Sequence, residues 1–85
     1  MPPVEIYTTP FCGYCHMAKR LLKGKGIAFS ETNVLLNPSL RIVMAQRAGG
    51  RRSVPQIFIG QTHVGGCDEL YALERAGKLD AMFAT

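Results

Sequence analysis

Two cysteines three positions apart, Cys12 and Cys15, stand where one kind of sequence gives way to another. Before them, Val4-Glu5-Ile6-Tyr7-Thr8 is rich in β-branched and aromatic residues and reads as a strand, which Thr9-Pro10-Phe11 breaks into a loop. After them, Ala18, Leu21 and Leu22 recur at helical spacing until Gly24-Lys25-Gly26, residues suited to ending a helix. A helix starting near Cys12 puts both sulfurs on one face, one turn apart, with the outer sulfur at the positive end of the helix dipole. A thiolate is stabilised there, and the thiolate is the form that attacks disulfides or ligates metals.

The remaining chain limits how that loop is presented. Ile27 to Val34 reads as a second strand, parallel to the first because a helical crossover separates them. Asn37-Pro38 has the form of a cap followed by a first-turn proline, and Leu40, Val43, Met44 and Arg47 continue at helical spacing to Gly49-Gly50. Gln56-Ile57-Phe58-Ile59 makes a third strand, Gly60-Gln61 turns it into Thr62-His63-Val64, and Gly65-Gly66 leads into a helix carrying Leu70, Leu73 and Ala76. Leu79 to Phe83 forms a short closing helix, and Tyr7, Phe29, Phe58 and Tyr71 are placed in or at the edge of the core. The order βαβαββα predicts one α/β domain over residues 1–85, a four-stranded mixed sheet flanked by helices on both faces. Ligands of such open sheets gather at the carboxyl ends of strands, where the cysteine pair lies.

Eighty-five residues suffice for one modest core, and 47% hydrophobic with 19% charged residues is the composition of a folded globular domain. The net charge of +4 resides in Lys19, Arg20, Lys23 and Lys25 and in Arg47, Arg51 and Arg52. No nucleic-acid motif with interleaved aromatics accompanies these charges, so they are expected on solvated helix faces and no nucleic-acid partner is expected. No stretch approaches the roughly 20 apolar residues of a membrane span, and the N-terminus has neither a basic nor a long apolar leader region. A cytoplasmic protein without a membrane partner is the expectation. Three unevenly spaced cysteines do not make a disulfide framework, and a single C-x-x-C in a reducing compartment points to redox or metal work. Structural zinc needs two further donors from Cys67, His16 and His63, and neither a second C-x-x-C nor an H-x3-5-H pair is present. The place of the pair between strand and helix favours redox.

Two further stretches carry chemistry. Ser53-Val54-Pro55 runs directly into a strand, and Gly65-Gly66-Cys67-Asp68 opens a helix whose unpaired amides suit a carboxylate. Together with Cys12-Gly13-Tyr14-Cys15, these stretches resemble the glutaredoxins, whose pattern is C-P-Y-C, then T-V-P, then G-G-x-D at comparable separations. The likeness extends through Val4 to Thr8, Val54 to Ile59 and Gly65 to Leu73, and so spans nearly the whole chain.

The resemblance implies a thioredoxin-like fold and glutathione-dependent thiol-disulfide exchange on glutathionylated or disulfide-containing proteins. Cys12 would be the nucleophile and Cys15 the resolving thiol. Glutathione, the co-substrate, would lie along Tyr14 and Ser53-Val54-Pro55, with a cis bond at Pro55 and the Val54 backbone paired to its cysteinyl part. Gly66, the Cys67 amide and Asp68 would hold the γ-glutamyl end, and Arg47 or Arg51 would meet the glycine carboxylate. The Cys67 side chain is assigned packing and its backbone the binding role, while His16 and His63 are expected as surface residues.

Two positions depart from the family pattern. Gly13 replaces the proline between the cysteines, and Thr9 stands where many relatives have a lysine, leaving Arg51 or Arg52 to supply that charge. Relatives with glycine or serine at this place include some that hold a [2Fe-2S] cluster between two subunits through the first cysteine and glutathione. A cluster carrier using Cys12 is therefore the alternative, with a dimer expected only in that case and a monomer otherwise. The second cysteine and the absence of C-G-F-S favour the enzyme. A glutathione-independent thioredoxin is disfavoured by the absence of Trp and by Gly65-Gly66-Cys67-Asp68.

Overall fold

A computed structural model describes residues 1–84 of the chain. Strand β1 (Val4–Thr8) is flanked on one side by β2 (Ser30–Asn33), in parallel, and on the other by β3 (Gln56–Ile59), antiparallel. β4 (Thr62–Gly65) pairs antiparallel with β3 and completes the order β2-β1-β3-β4. The parallel pair requires a crossover, which α1 (Gly13–Gly24) supplies. The β3–β4 hairpin needs only a tight turn, and Gly60 takes its left-handed conformation at φ 59°. Helices α2 (Pro38–Arg47), α3 (Cys67–Arg75) and α4 (Leu79–Phe83) cover the sheet. Among the described residues no helix is long and apolar enough to cross a membrane.

Alternation along the strands sorts side chains onto two faces. Val4, Ile6, Ile57 and Ile59 meet Ala18 and Leu22 of α1, Leu70 of α3, and Leu79 and Phe83 of α4. On the opposite face Tyr7 and Phe58 pack with Val34, Met44 and Ala48. Leu22 and Leu70 are fully buried, and truncating such a residue to alanine costs about 2–5 kcal/mol. This two-sided packing holds β1 rigid, and the loop at its carboxyl end leads directly to Cys12.

Three expectations are corrected. The second strand does not begin at Ile27: the Ile27 amide is spent on the Leu22 carbonyl at 3.0 Å, and the side chains of Ile27 and Phe29 pack onto the α1/α3/α4 core. Pairing starts only at Ser30, opposite Glu5. Pro38 does open α2, but Asn37 makes no side-chain cap. Asn33 organises this turn instead, its Oδ1 accepting the Leu35 amide at 2.8 Å. Within α2 only Met44 is buried, whereas Leu40, Ile42 and Val43 are exposed. The Arg47 guanidinium lies 4.1 Å from the Phe58 ring centre and covers the aromatic face in place of an aliphatic side chain.

Candidate active site

Cys12 is the N-cap of α1, with extended backbone at φ −118° and ψ 109°. Its Sγ accepts the backbone N–H of Cys15 at 3.2 Å, the bond that a serine or aspartate oxygen makes at other helix starts. The first turn of α1 contains no acidic residue, so the sulfur meets the positive end of the helix without a competing carboxylate. As a thiol, Cys12 points its S–H at the Val54 carbonyl, 3.8 Å away. Cys15 lies one turn behind and is fully buried. Burial, reinforced by the hydrogen bond and charge of Cys12, pushes its thiol up to about 12, with the Thr9 backbone and Lys19 offsetting only part of the rise. All three cysteines are free thiols. The pair therefore has one sulfur within reach of solvent and one held protonated behind it.

Beside Cys12 a surface cleft runs between three segments. Tyr14 borders it on the α1 side, Ser53, Val54 and Pro55 form one wall, and Gly66, Cys67, Asp68 and Glu69 form the other, with Arg51 reaching in. The Val54–Pro55 peptide is cis. The two walls approach closely, since a Cβ on Gly66 would stand 3.3 Å from the Pro55 carbonyl oxygen. Gly65 has φ 117°, and a Cβ there would come within 2.5 Å of Glu69 Oε1. Gly65 is thus required by its backbone conformation, and Gly66 lets the two walls stand close together.

Glu69 is the residue of this cleft that the sequence reading did not single out. Its Oε1 accepts the Gly66 amide at 2.8 Å and the Arg51 guanidinium at 2.6 Å. These partners, the Gly66 amide first, hold its carboxyl below the usual range. The spacing of Gly66 and Glu69, N-cap to third helical residue, is that of a capping box and was the signal available. With the Gly66 amide occupied, the amides of Cys67 and Asp68, which have no intrahelical acceptor, remain to face the cleft.

Arg47, expected beside a ligand carboxylate, is not among the residues bordering the cleft. It donates to the Tyr7 hydroxyl at 2.9 Å and to Glu5 Oε2 at 2.7 Å, so its charge is used in fastening α2 to β1. The Cys67 side chain is buried against the Leu70 cluster, and burial, with Asp68 next, raises its thiol. His16 is exposed, as expected, but His63 is half-buried and stacks on Phe58 with centroids 4.9 Å apart. Its Nε2 lies 2.7 Å from Gln56 Oε1, and burial, with Arg51 next, lowers its pKa. Among the described residues no group of three or more His, Cys, Asp or Glu side chains is placed to hold a metal ion.

Known proteins share both sequence and shape with this chain. The Glutaredoxin family model matches residues 4–64. A glutaredoxin of Pseudomonas aeruginosa is 58% identical over 84 residues, 99% of each chain. The solution structure of a Brucella melitensis glutaredoxin is 55% identical and superposes with a TM-score of 0.85 over 96% of this chain and 88% of that one. The crystal structure of a buckwheat glutaredoxin–glutathione complex is 31% identical, with a TM-score of 0.86 over 95% of this chain and 76% of that one. The mixed sheet with its flanking helices is accordingly a thioredoxin-like fold.

Proposed function

The chain belongs to the glutaredoxin family, whose chemistry is thiol-disulfide exchange, and from that premise we propose that it is a dithiol enzyme reducing glutathione mixed disulfides. One observation carries this reading: Cys12 Sγ caps α1 and lies 3.8 Å from the Val54 carbonyl, in the wall of a cleft bounded by Ser53-Val54-Pro55 and Gly66-Cys67-Asp68, with Cys15 buried behind it.

In the first step the Cys12 thiolate attacks the glutathione sulfur of a protein–glutathione disulfide. A Cys12–glutathione disulfide forms, and the protein thiolate leaves and takes a proton from solvent. A second glutathione thiolate then attacks the glutathione sulfur on Cys12, giving glutathione disulfide and regenerating the Cys12 thiolate. With protein disulfides, Cys15 completes the exchange by attacking Cys12 and releasing the partner thiol. Two of the influences that keep Cys15 protonated come from Cys12, its hydrogen bond and its charge. Both weaken once Cys12 is in a disulfide, so the inner thiol becomes more acidic at the stage that uses it.

The glutathione backbone lies along Val54, and its γ-glutamyl carboxylate takes the Cys67 and Asp68 amides while the Asp68 carboxylate takes its ammonium. Arg51, already anchored on Glu69, presents its remaining N–H groups to the glycine carboxylate. The enzyme acts as a cytoplasmic monomer on glutathionylated proteins. Turnover of the mixed disulfide of glutathione and β-mercaptoethanol, coupled to glutathione reductase, tests this. Cys12→Ser abolishes turnover and Cys15→Ser retains it, whereas equal loss in both rejects the division of labour between the thiols.

A further inference from the structure

The cleft accounts for glutathione but leaves one side of Cys12 without an assigned occupant. Phe11, the residue before the nucleophile, is 95% exposed, and Met17, one helical turn inside α1, is 44% exposed. Neither borders the cleft. A phenylalanine ring left in water beside a reactive sulfur is apolar surface that a partner joined to that sulfur covers.

The same helix face changes character further along. His16, Lys19, Arg20 and Lys23 surround a shallow depression. Lys19 is engaged by Glu31 at 2.9 Å, but Arg20 and Lys23 have no ion-pair partner among the described residues. Arg20 follows Met17 by three positions, and Lys23 follows Arg20 by three, so the three neighbour one another along α1. Counted from Cys12 at 1.5 Å per residue, Arg20 and Lys23 lie roughly 12 and 16 Å along the helix axis, the reach of about four and five residues of extended chain.

From this surface we infer that the protein selects among polypeptide substrates along α1, favouring a thiol flanked by an apolar residue with acidic residues four to five positions away. The apolar neighbour sits on Phe11 and Met17, and the acidic residues face Arg20 and Lys23. A second copy of this chain does not fit the same face, because it would set Arg20 and Lys23 against like charges. The inference rests on the reduction of glutathione mixed disulfides described above and names which polypeptides are preferred.

The test compares kcat/KM for three synthetic peptides bearing one glutathionylated cysteine: one with leucine beside the cysteine and glutamates at the fourth and fifth positions, one with lysines at those positions, and one with serine in place of leucine. The mixed disulfide of glutathione and β-mercaptoethanol is the common reference. The glutamate peptide is expected to exceed the lysine peptide by about tenfold at low salt, with the gap closing as salt rises. Arg20→Glu with Lys23→Glu reverses that ranking, and Phe11→Ser removes the advantage of leucine over serine. Both variants leave the small reference substrate unchanged. Equal kcat/KM for all three peptides, with normal turnover of the reference, overturns the docking track alone. No turnover of the reference by the unmodified protein overturns the enzymatic reading and the track with it.

Discussion

Two helix N-termini border the cleft, and they are finished in opposite ways. At α3 the first turn carries Asp68 and Glu69, and Glu69 folds back onto the Gly66 amide, so one of the free amides of that helix is taken by its own carboxylate and those of Cys67 and Asp68 are left toward the cleft. At α1 the first turn carries no acid, and the cap is a sulfur. An ordinary N-cap oxygen would hold that helix better, so stability is forgone at the place where an anionic sulfur is useful. The contrast separates a helix end that spends one amide on its own carboxylate from one that leaves its first turn to a sulfur.

The largest consequence concerns the thiol behind the α1 cap. Cys15 ionises near 9 in the unfolded chain and near 12 in the folded one, so above pH 9 the unfolded state loses the proton first. The contribution of Cys15 is therefore intact below pH 9 and falls by about 1.4 kcal/mol per pH unit between the two values. Urea unfolding of the reduced protein at pH 9 to 11 checks this, and Cys15→Ser removes that part of the slope. At the α3 end, Gly65→Ala forces a side chain into a left-handed backbone and against Glu69, costing about 1–2 kcal/mol in the same measurement.

Exchanging the two kinds of cap sharpens the contrast further. Cys12→Asp installs a charged oxygen at α1 and is expected to raise stability by about 0.5–1 kcal/mol while eliminating activity. A loss of stability would mean that the sulfur is already a full substitute for a carboxylate. The smallest effect belongs to Glu69→Gln, about 0.5 kcal/mol at neutral pH because the pair with Arg51 is half-exposed. The depressed Glu69 carboxyl stabilises the fold above its unfolded value of 4.5 and loses that contribution as pH falls below it. The variant therefore flattens the acid side of the stability profile.

Much of this arrangement was legible along the chain, because periodicity and turn residues report local structure directly. The order of strands and helices, the crossover that makes β2 parallel, and the capping position of Cys12 follow from the Val4–Thr8 run, the Gly24-Lys25-Gly26 stop and the cysteine spacing. The cleft was legible through Ser53-Val54-Pro55 and Gly65-Gly66-Cys67-Asp68, which converge on it from distant parts of the chain. What escaped was decided by competition between partners. Arg47 is a free cation in the sequence, but Glu5 and the Tyr7 hydroxyl capture it. Ile27 and Phe29 suit a strand, but the α1/α3/α4 core takes their side chains before the backbone reaches β1. His63 is drawn inward by Phe58 and Gln56, neither visible as its neighbour until the hairpin forms.

The central claim, that a single accessible sulfur at the α1 cap faces a glutathione-binding cleft, is tested most directly by trapping the intermediate. Reduced Cys15→Ser protein treated with glutathione disulfide and mapped by peptide mass spectrometry is predicted to carry one glutathione, on Cys12, with Cys67 unmodified. Glutathione on Cys67, or no adduct on Cys12, would contradict the account.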